Sequence, residues 1–506
     1  MEKVISITRC HNNQLWLVLL VSFLLFVLFI SFDSSALIRD QNNWYFSTII
    51  YGDHKSSANT YVKYSNDDYE ETEDGNSDSC FGRYIYMHDL PSRFNDDVIK
   101  NCRSLVKWFD MCPYLVNEGF GSQIHNPMNV LSKNGWFATN QFMLEIIFRD
   151  RMKKYECLTN NSSLASAIFV PFYAGLDVGR YLWGYNITVR DSVGVDLAKW
   201  LASKPEWKRM SGRDHFFISG RIGWDFHRQT SNEGDWGSKL MKLPEFMNMT
   251  MLSIETTSWS NEFGIPYPTY FHPSSDHEVL EWQTKMRRIK RPYLFSFVGA
   301  PRPGKNDSIR EELMEQCIAS GKKCQLFSCF SSSQKSCDNP VDVMNVFRRS
   351  AFCLQPSGDS FTRRSIFDSI LAGCIPVFFH PGSAYAQYIW HLPKDYTKYS
   401  VLISEFDVRS RNISINETLK GFSKKQVLSM RKEVIRLIPN IIYAKSKLED
   451  LEDAFDMASK GVLERVDNIR RKIEDGKDPS IGFAEENSWV SKLIGIGREN
   501  EWDRFF

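Results

Sequence analysis

Between Ser357 and Phe379 the chain gathers the residue types that hold a diphosphate: Ser357 and Gly358 in a polar loop, then Arg363 and Arg364, then Asp368. Guanidinium groups make charge-assisted, two-pronged hydrogen bonds to phosphate, and a helix start adds unsatisfied backbone N–H donors. A second set lies upstream in Gly299-Ala-Pro-Arg-Pro-Gly304. It follows an apolar run directly, so its backbone and Arg302 can approach the same anion from the opposite side; a simple connecting turn is the alternative. Ser365 and Asp368, three apart, also read as an approximate capping box, in which case Asp368 only holds the helix start. Transfer from such a diphosphate to a hydroxyl needs a base. Asp225, in the Trp224-Asp-Phe-His227 loop, is the first choice, with Glu145, Asp177, His215 and Glu262 as rivals. No Asp-x-Asp occurs to hold a divalent cation on the diphosphate. The near misses, Glu233-Gly-Asp235 and Glu405-Phe-Asp407, read as surface acids, so no essential metal or other cofactor is expected.

These residues need particular elements to place them. Phe367, Ile370 and Leu371 fall three and four apart, the spacing of one apolar helix face, and Gly373 ends that helix. Ile375 to Phe379 is a continuous apolar run, read as a strand buried on both faces, which sets the Ser357–Arg364 loop at the carboxyl edge of a sheet. The same alternation extends upstream, with strands at 293–298, 323–327 and 351–354 and helices at 308–320 and 341–349. The first half has strand candidates at 84–87, 167–172, 215–219 and 251–254 and a helical stretch at 140–154. Segments 117–136 and 220–236, rich in Gly, Asn and Trp, read as long loops over a site. The fold class is therefore α/β, with two Rossmann-like domains facing a cleft in the GT-B manner.

The signature run resembles that of the exostosin-like glycosyltransferases, family 47, in which an arginine-bearing helix precedes an Ala-Gly-Cys-Ile-Pro-Val strand. Arg83-Tyr-Ile-Tyr-Met-His-Asp-Leu-Pro91, Phe169-Val-Pro-Phe-Tyr-Ala-Gly175, Gly212-Arg-Asp-His-Phe-Phe217, Ile265-Pro-Tyr-Pro-Thr-Tyr-Phe-His-Pro273 and Phe297-Val-Gly-Ala-Pro-Arg302 resemble its other blocks, in order, from about Cys80 to about Pro439. Within the family the likeness is to the plant xyloglucan galactosyltransferase branch. The resemblance implies an inverting Golgi enzyme of cell-wall biosynthesis that takes galactose from UDP-galactose to xylosyl side chains of xyloglucan. UDP-galacturonate or UDP-arabinofuranose are alternative donors, and an inactive carbohydrate-binding or scaffolding protein is the reading from another class. The resemblance also implies that the acid at Asp368 contacts the ribose and that the end of the chain packs back on the first domain. Other Golgi glycosyltransferases are expected partners.

Location can be read from the residues. Leu15 to Ile30 is apolar except for Ser22, and Phe32 extends the run close to the length that spans a thinner, Golgi-like bilayer. Lys3 and Arg9 precede it and Asp33 follows, the charge order of a single-pass type II protein with a luminal catalytic domain. A signal peptide cleaved near Ser34-Ser-Ala36 is the competing reading. The chain thus divides into a cytosolic tail (1–14), a transmembrane signal anchor (15–32), a flexible stem (33–79), an acceptor-side α/β domain (80–290), a nucleotide-sugar-binding domain (291–445) and a charged helical tail (446–506). Sequons at Asn160, Asn161, Asn186, Asn248, Asn306, Asn412 and Asn416 all lie beyond the anchor. Of eleven cysteines, Cys10 stands alone before the anchor, and the other ten can pair completely in an oxidising lumen. That favours disulfides over zinc for Cys317, Cys324, Cys329 and Cys337. A net charge of +1 offers no basic face to nucleic acid and suits a neutral polysaccharide, and 14 Trp and 20 Tyr supply rings that can stack on sugars. Protease added to sealed Golgi vesicles is expected to spare everything after about Asp33; digestion of the catalytic region in intact vesicles would overturn the anchor.

Overall fold

The computed structural model describes residues 78–485, apart from 127–128, 303–307, 330–336, 338 and 411–412. The expected anchor and almost all of the stem, together with Cys10, Gly304, Asn306 and Asn412, lie outside the described residues. Among the described residues no helix is long and apolar enough to cross a membrane. All of them fall within one compact unit, Asn76–Phe506.

The first half runs β1 (Tyr84–Met87), α1 (Leu144–Lys153), β2 (Leu158–Thr159), β3 (Ala165–Phe169), α2 (Ala174–Tyr181), α3 (Ile187–Ala202), β4 (His215–Ile222), β5 (Thr250–Glu255), β6 (Glu262–Gly264) and α4 (Asp276–Arg288). The second runs β7 (Tyr293–Gly299), α5 (Arg310–Ala319), β8 (Cys324–Ser328), α6 (Pro340–Phe347), β9 (Ser350–Gln355), α7 (Arg364–Leu371), β10 (Ile375–Phe378), β11 (Val401–Leu402), α8 (Lys424–Arg436) and α9 (Ala454–Glu474). The strands form two sheets, in the orders β2-β1-β3-β4-β5-β6 and β11-β10-β9-β7-β8. Every pairing is parallel. Strands β3, β5 and β10 are buried at every residue, as strands of a parallel sheet covered by helices are.

Local chemistry moved some boundaries. The strand read at 167–172 is β3, Ala165–Phe169, because the chain turns at Pro171 and Phe172 N–H already donates to Val170 C=O. Helix α7 starts at Arg364, and Arg363 is its N-cap without a side-chain cap bond. The capping box read at Ser365 and Asp368 does not form: Ser365 Oγ donates to Gln355 Oε1 at 2.6 Å instead. Gly373, at φ +62°, ends the helix, a conformation that costs a glycine little. The Cys353–Cys374 disulfide then ties this turn to β9. The remaining pairs are Cys80–Cys157, Cys102–Cys112, Cys317–Cys324 and Cys329–Cys337, so the four crowded cysteines are joined as disulfides.

The two sheets are locked by buried polar contacts. Tyr388 OH donates to Ile254 C=O at 2.8 Å and bonds Thr362 Oγ1 at 2.9 Å. Gln387 Oε1 accepts from both N–H and Oγ1 of Thr256, and Gln387 C=O accepts Gly264 N–H. Trp282 Nε1 donates to Leu371 C=O at 2.8 Å. The end of the chain returns to the first sheet through α9, where Phe455 packs 4.7 Å from Phe148, Arg151 meets Asp453 and Asp456, and Arg470 donates to Ser166 C=O. A Cβ on Gly264 would sit 2.4 Å from the Gln387 carbonyl oxygen, backbone that has nowhere to yield. Gly264→Ala is therefore expected to destabilise the protein by about 1–3 kcal/mol, read as a lower Tm; an unchanged Tm would show that the seam is loose.

Candidate active site

The loop between β9 and α7 meets the end of β7 at the carboxyl edge of the second sheet, and three guanidinium groups converge there. A Cβ on Gly358 would lie 3.0 Å from Arg363 Nη2 and 3.3 Å from Arg310 Nη2, so both arginines press on this one glycine. Arg363 Nη1 donates to Pro356 C=O at 3.2 Å. Arg310, the first residue of α5, donates to Ser357 C=O and Ala300 C=O, while its Nη2 is buried with no hydrogen-bond partner. Arg302 covers the loop by pairing both Nη atoms with the Asp359 carboxylate, and its N–H donates to Glu311. Gly299, the last residue of β7, receives Cys329 N–H on its carbonyl. Burial, and then the Arg302 charge, push the Arg363 guanidinium down to about 10. Like charges gathered out of water are costly unless an anion joins them, and a diphosphate is such an anion.

Arg364 goes elsewhere. Arg363 has extended backbone while Arg364 is already helical, so the two side chains diverge. Arg364 Nη1 donates to Thr139 C=O at 2.6 Å, and its guanidinium lies 3.5 Å from the centroid of Tyr270. Its Nε stands 3.7 Å from Asp368 Oδ2. Arg364 Nε and Nη2 and Asp368 Oδ1 are all buried without hydrogen-bond partners, which leaves donors and an acceptor to be satisfied side by side. Burial raises the Asp368 carboxyl to about 6 against the pull of Arg364.

On the first sheet the candidate bases occupy different surroundings. Asp225 is buried in a short turn after β4, with Oδ2 accepting Arg221 Nε at 2.7 Å and Oδ1 accepting Trp236 Nε1 at 2.6 Å. Glu145 is wholly buried and accepts the backbone N–H of Gly175, Leu176 and Gly220, which clamps α2 and β4 to α1; burial raises it to about 8. Asp177 is buried in α2 and paired with Arg180. His215 opens β4, bonded through Nδ1 to Asp214 and through Nε2 to His88. Glu262 is bonded to His227 and to N–H and Oγ1 of Thr257. Glu233 accepts Ile187 N–H and Asp235 accepts Thr230 Oγ1, while Glu405 and Asp407 lie in the first turn of a helix at Glu405–Ser410. Asn160, Asn161 and Asn186 are exposed; Asn248 and Asn416 are half-buried.

Several site residues escaped the sequence reading. Glu255, the last residue of β5, reaches across to the second sheet and accepts Ser360 Oγ at 2.6 Å and the N–H groups of Phe361 and Thr362. Burial raises it to about 8 in spite of these donors and of Arg363. Tyr267 is buried, and burial first and then the Glu255 charge push its phenol well above its ordinary value, with Arg363, Asp225 and Arg221 also acting on it. A carboxylate ending a parallel strand was the available signal for Glu255. Arg310 opens α5 just beyond the Gly299–Gly304 loop, and only the fold aims it back at Gly358.

An anion cradle on one parallel sheet, closed against a second, suits enzymes that move a group off a nucleoside diphosphate, and the relatives of this chain make the class definite: it is a glycosyltransferase. Residues 79–419 match the Exostosin GT47 domain, and the chain belongs to that family. It is 59% identical to the probable xyloglucan galactosyltransferase GT12 of Arabidopsis thaliana, over 84% of each chain. It is 53% identical to the xyloglucan galactosyltransferase MUR3 of the same plant, over 86% of this chain and 71% of that one. The Arabidopsis thaliana xyloglucan-specific galacturonosyltransferase 1 is 42% identical, over 77% of this chain and 58% of that one.

Arg363→Ala and Arg310→Ala are each expected to weaken calorimetric binding of UDP by about 1.5–3 kcal/mol. Arg364→Ala should cost less, since that side chain is committed to Thr139 and Tyr270. Unchanged UDP affinity in Arg363→Ala would remove the cradle.

Proposed function

We propose that this chain is a Golgi type II membrane enzyme of GT-B architecture that transfers galactose from UDP-galactose to xylosyl side chains of xyloglucan, with inversion. The observation that carries this reading is the convergence of Arg310 and Arg363 on Gly358, with Arg302 paired to the neighbouring Asp359, in a chain 53–59% identical to xyloglucan galactosyltransferases. In this reaction the acceptor oxygen forms a bond to the anomeric carbon, the bond from that carbon to phosphate oxygen breaks, and the electron pair leaves with UDP. The cradle meets the charge that develops on the departing diphosphate with fixed donors, which need no reorganisation at that moment. Arg364 and Asp368, with their unsatisfied atoms, suit the ribose hydroxyls.

Asp225 is the proton acceptor in this reading. Arg221 and Trp236 hold its carboxylate in place, and Asp225 and Arg363 both act on the buried Tyr267 phenol, which supports this reading. Asp225→Asn is expected to lower kcat by about 10²- to 10⁴-fold with UDP affinity retained, whereas a variant with normal kcat would exclude it as the base. Because arginines carry the leaving-group role, transfer should also persist in excess EDTA; loss of activity restored by manganese would defeat this and point to Glu233 and Asp235 or Glu405 and Asp407.

Donor choice is decided by incubating the protein with a panel of UDP-sugars and xyloglucan oligosaccharides, followed by mass and linkage analysis. β-Galactosylated xylose is the expected product. Transfer from UDP-galacturonate, the kind of donor the galacturonosyltransferase relative's name suggests, or from UDP-arabinofuranose would replace the galactose reading. Binding without any product would favour the non-catalytic one.

A further inference from the structure

Three tryptophans from separate segments pack in succession, the last of them bonded to Asp225. Trp108 is displayed by the loop that the Cys102–Cys112 disulfide closes. Trp183 follows the end of α2. Trp236 sits in the loop that Arg190, from α3, grips through the carbonyls of Glu233, Asp235 and Gly237. Trp183 lies 6.1 Å from Trp108 and 5.4 Å from Trp236, edge-to-face with both, so it braces its neighbours. Trp108 and Trp236 nevertheless remain 66% and 47% exposed. A disulfide, a helix end and an arginine clamp thus hold large apolar rings out in water, an arrangement that core packing does not account for.

The row has a direction. Its inner end, Trp236, donates Nε1 to Asp225 Oδ1, and Asp225 and Arg363 both act on the buried Tyr267 phenol. Its outer end, Trp108, lies under the Lys107 ammonium, 4.9 Å from the ring centroid, a donor suited to a hydroxyl. A neutral β-linked glucan has flat C–H faces that stack on indole and a rim of hydroxyls that need donors, and the ring-to-ring spacing is comparable to one sugar residue. We infer that Trp108, Trp183 and Trp236 form a binding platform for the backbone of a neutral β-glucan acceptor, leading it toward Asp225. The platform deepens the proposed transfer to xyloglucan and rests on that reading for the identity of the glucan.

The test is affinity electrophoresis of the full-length chain through gels containing xyloglucan, with UDP affinity measured calorimetrically on the same preparations. Trp108→Ala and Trp236→Ala are each expected to weaken retention by about threefold to tenfold, with UDP affinity unchanged. Trp236→Phe, which keeps a ring and loses only the bond to Asp225, should hold the polysaccharide better than Trp236→Ala. Trp108, two-thirds exposed, guards against a loss caused by unfolding. Retention of both alanine variants equal to the unaltered protein would overturn the platform, whatever sugar is transferred. Lost retention, together with a product other than galactosylated xyloglucan, would leave the platform standing and remove the donor reading. If the unaltered protein is not retained at all, the platform falls, and transfer to short oligosaccharides would still uphold the enzymatic reading.

Discussion

The contact on which the site depends is the buried carboxylate of Glu255, held by Ser360 Oγ and the N–H groups of Phe361 and Thr362. It joins the last residue of β5 in one sheet to the loop between β9 and α7 in the other. A carboxyl group out of water is tolerated only when it is well hydrogen-bonded, and a loop that points its N–H groups at one acceptor has little freedom left. That loop carries Gly358 and ends at Arg363, so the position of the cradle follows from the position of Glu255. Tyr388 and Gln387 reinforce the same seam with bonds to Ile254, Thr256 and Gly264.

The cradle itself is a local conflict that the rest of the fold sustains. Arg363 and Arg310 crowd one glycine, and Arg310 has a buried donor with no partner. In isolation such a cluster would separate into solvent. The packed helix α7, the disulfide at its end and the interdomain bonds hold it together, which leaves the site electrostatically incomplete until an anion arrives. Asp225 shows the complementary arrangement: Arg221 Nε and Trp236 Nε1 each donate to one of its carboxylate oxygens and fix its orientation.

Much of this could be read beforehand. The apolar spacing of Phe367, Ile370 and Leu371, the stop at Gly373 and the run from Ile375 identified the helix and strand that carry the arginines, because period and turn chemistry are local properties. The strands of both sheets were largely visible for the same reason. The short edge strands β2, β6 and β11 were not, since two or three residues carry no periodic signal and exist only because a neighbour pairs with them. The supposed capping box at Ser365 failed because Gln355, ten residues away, competes for the same hydroxyl.

Sequence alone determined the family, the α/β alternation, the arginine-rich loop and the complement of cysteines able to pair, since each depends on residue type and spacing along the chain. Tertiary structure decided which side chains share a site. It separated Arg364 from Arg363, brought Arg310 and Glu255 into the cradle, placed His215 at the start of its strand rather than at its carboxyl end, and lined up Trp108, Trp183 and Trp236. Those outcomes depend on where strands end relative to one another across two sheets, and register between distant segments is set by packing rather than by neighbours in sequence.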